Sequence, residues 1–140
     1  MATDDDPIAE QYKRSRQTPW RTDDTRYLSL ATFRASGAAV ATPMWYVALD
    51  GALYMGTTAD SGKVKRLRRS PRARVAPCDA RGGVKGRWRD ATARLVDDPA
   101  LIKRIEAALV AKYGWQKRLL NLFARLGGRI RRRAWIELRV

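Results

Sequence analysis

The chain has no histidine, and cysteine occurs once, at Cys78. The lack of histidine removes Ser-His and Cys-His catalysis, histidine metal sites and the usual general base near neutral pH. A single cysteine excludes an intrachain disulfide and a multi-cysteine metal site. We therefore predict no metal site and assign no catalytic residue. An enzyme with this composition would depend on a cofactor for the reaction step itself.

Acidic residues are also scarce, with 14 Asp and Glu against 29 Lys and Arg, which gives a formal net charge of +15. Such a surface favours an anionic partner: nucleic acid, anionic lipid or a polyanionic small molecule. The composition does not distinguish among these three kinds of partner. The sequence has no run of 18 apolar residues and no apolar core near its N-terminus, so we expect a cytoplasmic protein without a membrane span.

The length of 140 residues suggests one domain. We expect a polar N-terminal arm over residues 1–22 and a folded domain over residues 23–140. Within it, short β-prone segments are separated by turn signals at 35–37 and at Asp50-Gly51. The predicted strands are "YLSLATFR", "AAVATPMWYVAL", "ALYMGTT", "ARVAPC", "GRWRDATARLV" and the closing "WIELRV". Pro43 within the second of them indicates an edge, a bulge or an opening of the ladder.

Three helices are predicted between these strands. The first covers "SGKVKRLRR", with Asp60 or Ser61 as N-cap. The second is capped by Asp98, has Pro99 at its first position and ends at Gly114. A basic amphipathic helix follows, and its segment 115–133 leaves open a weak contact with an anionic membrane. Hairpins with a closing C-terminal strand favour a mainly β (α+β) fold, a six-stranded antiparallel barrel with flanking helices.

The end of the third strand and the start of the first helix form a candidate anion site. Free N–H groups and the positive end of a helix dipole point to such a corner. Hydroxyl groups, one glycine and basic side chains surround it: Thr57, Thr58, Ser61, Gly62, Lys63, Lys65 and Arg66. Lysines bind an anion as point charges, and an arginine binds it as a fork. The same pattern also fits a solvated basic helix with a serine N-cap.

The motifs "TPMW", "SGKVKRL", "RVAPCD" and "TARL" make this sequence similar to a known family. Together they span residues 27–96, and the closing "WIELRV" also fits. The chain resembles the flavin/deazaflavin oxidoreductases of the pyridoxamine 5'-phosphate oxidase-like split β-barrel superfamily, which have an FMN-binding-like fold. Within it the similarity is to probable coenzyme F-420-dependent enzymes of actinobacteria.

The resemblance implies a homodimer with a cofactor groove at the subunit interface. Pro43, Met44 and Trp45 would lie along the deazaflavin ring, and the anion corner would hold the phosphate and the acidic tail. Trp88 or Trp135 of the partner chain would close the ring pocket. Coenzyme F-420, with its phosphodiester and glutamates, suits several bases better than FMN, which carries one phosphate. The implied function is hydride transfer between the deazaflavin and a small organic substrate.

Other interpretations remain open at this stage. The same fold could hold FMN, haem or lipid without turnover, and the charge alone could serve a nucleic-acid or membrane-surface binder. No nucleic-acid-binding motif accompanies the basic runs, so we predict no specific nucleic-acid partner.

Overall fold

The computed structural model describes residues 26–114 and 132–140. The predicted N-terminal arm and the predicted basic helix after Gly114 lie outside these residues. Seven strands and two helices make up the described part, in chain order: β1 Tyr27–Phe33, β2 Ala39–Met44, β3 Val47–Leu49, β4 Ala52–Thr58, α1 Gly62–Arg69, β5 Arg72–Cys78, β6 Arg89–Val96, α2 Pro99–Tyr113 and β7 Arg133–Arg139. No described helix is long and apolar enough to cross a membrane.

All seven strands belong to one antiparallel sheet in the order β2-β1-β5-β6-β7-β4-β3. β2 and β3 are its two edges, yet only Trp45 and Tyr46 separate them in the chain. Because so short a link spans about 10 Å at most, the edges must meet there and the sheet must curl. The result is a barrel that the chain closes at one point, in agreement with the predicted antiparallel split barrel.

The prediction of six strands is wrong, because the segment "AAVATPMWYVAL" forms two strands. The break lies at Tyr46, whose backbone groups bind side chains of α2. Tyr46 N–H donates to the Tyr113 hydroxyl at 3.1 Å, and Lys112 Nζ donates to Tyr46 O at 3.0 Å. The Tyr113 hydroxyl also lies 3.1 Å from Tyr46 O and 2.6 Å from Arg26 O. These contacts take the place of a ladder at the break.

The hairpin turn and the helix caps form at the residues that the sequence predicts. Asp50 and Gly51 have φ values of 51° and 81°, as the two-residue hairpin between β3 and β4 requires. α1 begins after Ser61, whose Oγ accepts a hydrogen bond from Val64 N, and α2 begins after Asp98, whose carboxylate accepts one from Ala100 N. Gly114 ends α2 with a positive φ of 62°. These caps confirm the predicted starts of both helices.

β6 begins at Arg89, three residues later than the predicted strand from Gly86. The ladder between β5 and β6 pairs Val75 with Arg89, but the isolated bridge beyond it pairs Cys78 with Val84. The two pairings differ in register, because the segment between Val84 and Arg89 is longer than the segment of β5 opposite it. The extra residues bulge out beside Pro77. Proline has no N–H to donate, and it is found in sheets at edges and bulges.

Two apolar clusters hold the fold together. One fills the barrel, with Leu28, Leu30, Met55, Ile136 and Leu138 fully or almost fully buried. The other lies outside the barrel, where α2 packs on the sheet through Ile105, Leu109 and Tyr113. α1 closes one end of the barrel and contributes Leu67 to the inner cluster. The side of the sheet that α2 covers is thus distinct from the end that α1 covers.

Candidate functional site

The barrel opens between β2 and the last part of β4. β3 pairs with β4 only as far as Tyr54, so residues 55–58 of β4 have β7 on one side and no described strand on the other. β2 pairs with β1 on one side, and its outer edge has no described partner strand either. We call the opening between these two edges the split. Its exposed backbone edges could donate to and accept from a bound ligand.

α1 crosses the end of the barrel beside the split. It follows β4 after a turn in which Ser61 N–H donates to Thr58 O at 3.1 Å. At its other end, Arg69 Nη2 donates to Phe33 O at 2.8 Å, at the end of β1. The helix therefore runs from the end of β4 to the end of β1, the strand next to β2. The predicted anion corner lies where β4 meets this helix.

The N-terminus of α1 presents backbone donors at this corner. The first bond of the helix runs from Lys65 N to Ser61 O at 3.2 Å, and the Ser61 hydroxyl takes the N–H of Val64 at 3.3 Å. The N–H groups of Gly62 and Lys63 precede both bonds and point out of the helix. Thr57 and Thr58 are partly exposed at the end of β4. Backbone amide donors are thus available at the corner, with Thr57 and Thr58 at the adjacent end of β4, and their part in binding stays a prediction.

Arg66 has a structural contact as well as a place at the corner. Its Nε donates to Thr32 Oγ1 at 2.7 Å, and Thr32 is fully buried near the end of β1. The guanidinium folds back over Gly62, where a Cβ would come within 2.7 Å of Nη1. Gly62 therefore makes room for this arginine, a reason that the sequence does not reveal.

Lys63 is the most unusual charge of the corner. It is half-buried, and burial, followed by the neighbouring charge of Arg66, lowers the pKa of its ammonium group below the ordinary lysine value. In the described part of the chain neither Lys63 nor Arg66 forms an ion pair, whereas Arg74, Arg94, Arg104 and Arg139 each do. Two adjacent cations, one of them half-buried, form a site that an anion would stabilise.

The three residues predicted to lie along a ring point in three directions. Met44 is buried in the barrel cluster, and Trp45 stacks on Tyr113 of α2 with ring centroids 4.5 Å apart and planes 8° apart. Pro43 is partly exposed on the outer side of edge strand β2, where Gly82 of the β5–β6 loop packs near its ring. The backbone of this segment and the side chain of Pro43 are what the split presents to a ligand.

Two other predicted site residues lie farther out. Lys65 is exposed on α1. Trp88 is partly buried in the loop before β6, and the strands β1 and β5 separate β6 from β2 in the sheet. Gly82 of the same loop lies near Pro43, and the role of Trp88 at the ring pocket stays a prediction. Trp135 is buried under α2 against Gly56, in the outer cluster.

The sequence prediction missed Thr42, although it belongs to the "TPMW" motif. Its Oγ1 is buried and has no hydrogen-bond partner among the described residues. Thr42 is paired with Leu30, so its side chain projects to the inner face of β2, at the edge of the split. The only sequence signal is a threonine directly before the proline, and that signal does not reveal an unpartnered hydroxyl.

A comparison with known protein families identifies the family of this chain. The model of the pyridoxamine 5'-phosphate oxidase family matches residues 21–140. The chain belongs to this family. Among curated proteins no significant match to the sequence is found.

Three solved structures illustrate the range of similar proteins. The conserved hypothetical protein Rv2991 from Mycobacterium tuberculosis is 24% identical, with a TM-score of 0.59 and coverage of 82% of this chain and 72% of that one. The heme storage protein HutZ from Vibrio cholerae is 15% identical, with a TM-score of 0.63 and coverage of 94% and 86%. An F-420 reductase is 18% identical, with a TM-score of 0.52 and coverage of 87% and 94%. At these identities the similarity shows the fold alone.

Proposed function

We propose that this protein binds coenzyme F-420 in the split and uses it to transfer hydride to or from a small organic substrate, with FMN as the alternative cofactor. The observation that carries the proposal is the pair Lys63 and Arg66 on α1, where Arg66 contacts Thr32 on β1, the neighbour of β2. These two cations have no acidic partner among the described residues. A similar solved structure is an F-420 reductase, and the family of the chain is consistent with either a deazaflavin or a flavin.

The residues present fit such a cofactor. Lys63, Arg66 and the N–H groups at the start of α1 would hold its phosphate, because hydrogen bonds between ionised partners are the strong ones. The edge of β2 around Pro43 would lie along the ring, with its unpaired backbone groups as hydrogen-bonding partners. When bound, the deazaflavin or flavin supplies the hydride chemistry, so the chain itself has to orient and shield the reactants.

The charge pattern favours F-420 over FMN. Lys65 and Arg68 are exposed on α1 beyond the corner. A cofactor with a phosphodiester and several carboxylates can use these charges in addition to Lys63 and Arg66, whereas FMN ends at one phosphate. We therefore expect F-420 to bind more tightly than FMN, and the difference to shrink with rising salt, because exposed charges are screened.

The test is a titration of the full-length protein with F-420 and with FMN, followed by cofactor fluorescence. Binding of F-420 at micromolar affinity or better is the expected result, and failure of both cofactors to bind would refute the proposal. Bound, reduced cofactor is then mixed with a panel of quinones and unsaturated carbonyl compounds, and its reoxidation is followed by absorbance. Tight binding without turnover would favour a cofactor-binding module of the same fold.

Haem binding and nucleic-acid or membrane binding have less support than F-420 binding. The chain has no histidine to ligate a haem iron, although a heme storage protein is among the similar structures. A nucleic-acid or membrane-surface binder would depend on net charge alone. Gel shifts and liposome sedimentation at about 0.15 M salt separate this rival, because nonspecific charge binding weakens steeply with salt.

A homodimer is part of the proposal. Trp88 lies in the loop before β6, and we expect this residue to close the ring pocket of a second copy. Size-exclusion chromatography with light scattering checks this, and a monomer that binds F-420 with full affinity would contradict it.

A further inference from the structure

We infer that the Thr42 hydroxyl is a hydrogen-bonding contact for the uncharged part of the bound cofactor. The sequence prediction of the site does not include this residue, and the inference rests on the proposed function. It assigns a ligand contact on the inner face of β2, apart from the cations that hold the phosphate.

The first observation is the unpartnered state of the hydroxyl. Buried polar groups in folded proteins almost always have a hydrogen-bond partner, because leaving one unpaired in the interior is costly. Thr42 Oγ1 is the exception among the buried side-chain nitrogen and oxygen atoms of the described residues. By contrast, the buried hydroxyl of Thr32 on the neighbouring strand accepts a hydrogen bond from Arg66. An unsatisfied polar atom beside an open edge indicates a partner that the described residues do not supply, either an ordered water or a group of a bound ligand.

The second observation is position. Along β2, Met44 pairs with Leu28 of β1, and Val40 pairs with Thr32, the residue that Arg66 contacts. Thr42 lies midway, so it is about 7 Å along the strand from each of these positions. Pro43 follows Thr42 but projects to the opposite face of β2, so a ligand with its ring near Pro43 and its anion at the corner would meet the Thr42 hydroxyl by reaching over the edge of β2 into the split. A hydroxyl can both donate and accept there, so it suits the hydroxyl groups or ring carbonyls of a flavin-like ligand.

The third observation is the edge itself. β2 has no partner strand on its outer side among the described residues, so a ligand can approach Thr42 without breaking a ladder. Thr42 itself is only partly buried as a residue, although its hydroxyl oxygen is shielded from solvent. Neighbouring groups must therefore move before a bound molecule can contact the hydroxyl.

The experiment compares Thr42→Val with Thr42→Ser. Valine keeps the shape of threonine and replaces the hydroxyl by a methyl group, whereas serine keeps the hydroxyl. We expect Thr42→Val to weaken binding of F-420 or FMN about tenfold, equivalent to about 1.4 kcal/mol. Thr42→Ser should bind within about threefold of the unchanged protein. In the protein without cofactor, the valine substitution should be favourable. Thr42→Val should raise Tm there, because it removes a buried unsatisfied hydroxyl.

Riboflavin, which lacks the phosphate, separates this contact from the anion corner. Thr42→Val should weaken riboflavin and FMN by the same factor, whereas Lys63→Ala should weaken only FMN. Equal affinity of Thr42→Val and the unchanged protein for every flavin would overturn the inference. So would an effect seen with FMN and absent with riboflavin, because the hydroxyl would then contact the phosphate. If the unchanged protein binds no flavin and no F-420, the proposed function fails first and this inference with it.

Discussion

Two charged clusters of this protein are built in opposite ways. On the outer face of the sheet, the buried carboxylate of Glu137 accepts hydrogen bonds from Arg94 at 3.0 Å, from Arg139 at 3.1 Å and from the Tyr54 hydroxyl at 3.0 Å. At the split, Lys63 and Arg66 stand together without a described acidic partner. The first cluster is complete among the described residues, whereas the second has no acidic partner among them.

The difference teaches where to look for function in a chain with so many basic residues. A guanidinium that already binds a carboxylate is part of the structure, however exposed it is. Arg94 and Arg139 keep 65% and 66% of their side chains exposed, yet both bind Glu137. Lys63 is more buried and has no such partner. Exposure alone would therefore have selected cations that already have a carboxylate partner.

The largest expected effect is on the complete cluster. Glu137→Gln should destabilise the protein by about 2 kcal/mol, because it removes the charge that two arginines and one hydroxyl share in a buried place. Chemical denaturation measures this change, and F-420 or FMN affinity should stay within about twofold. Unchanged stability would show that the cluster is not the structural element we describe.

The same cluster carries a pH dependence. The hydrogen bond from Arg94 is the main cause that lowers the pKa of Glu137 below its usual value. A depressed carboxylate pKa contributes stability that is fully present above the pKa of the unfolded chain and is lost as pH falls through the lower folded pKa. The stability difference between the unchanged protein and Glu137→Gln should therefore shrink in acid. A difference that stays constant down to acid pH would contradict this origin.

The next largest effect is on cofactor binding at Lys63 and Arg66, the cluster without a described acidic partner. Lys63→Ala should weaken F-420 or FMN about tenfold without lowering Tm, because no described residue depends on its ammonium group. Lys65→Ala, on the exposed side of α1, should weaken binding about twofold, and Lys103→Ala on α2 serves as the charge-matched control with no effect. Equal losses for Lys63→Ala and Lys103→Ala would indicate net charge rather than a site.

The smallest effect concerns the pH dependence of binding. Burial lowers the pKa of Lys63 in the free protein, and a bound anion should raise it again. Affinity is then greatest below the free-protein pKa and falls by a few-fold as pH rises from that value to the pKa of the complex. Isothermal titration across alkaline pH measures the fall, and Lys63→Arg should flatten it because arginine stays charged. A flat profile for the unchanged protein would contradict a charged Lys63 contact.

Local patterns in the sequence predict a large part of this architecture. The hairpin at Asp50-Gly51, the caps Ser61 and Asp98 and the end of α2 at Gly114 all depend on residues close in the chain, and all are confirmed. The anion corner is likewise a short segment, so its members fall together as soon as β4 and α1 form. Its role in cofactor binding stays a prediction.

Tertiary structure alone decided the rest, because the deciding contacts join residues far apart in the chain. Tyr113 holds the backbone of Tyr46 from 67 positions away, and this contact divides one predicted strand into two and opens the split. Arg66 reaches Thr32 across 34 positions, which leaves Lys63 as the half-buried cation without a partner. The sequence by itself determined which groups could bind an anion. Only the packing of distant elements decided which of them are already paired, since pairing depends on distance in space and not on spacing along the chain.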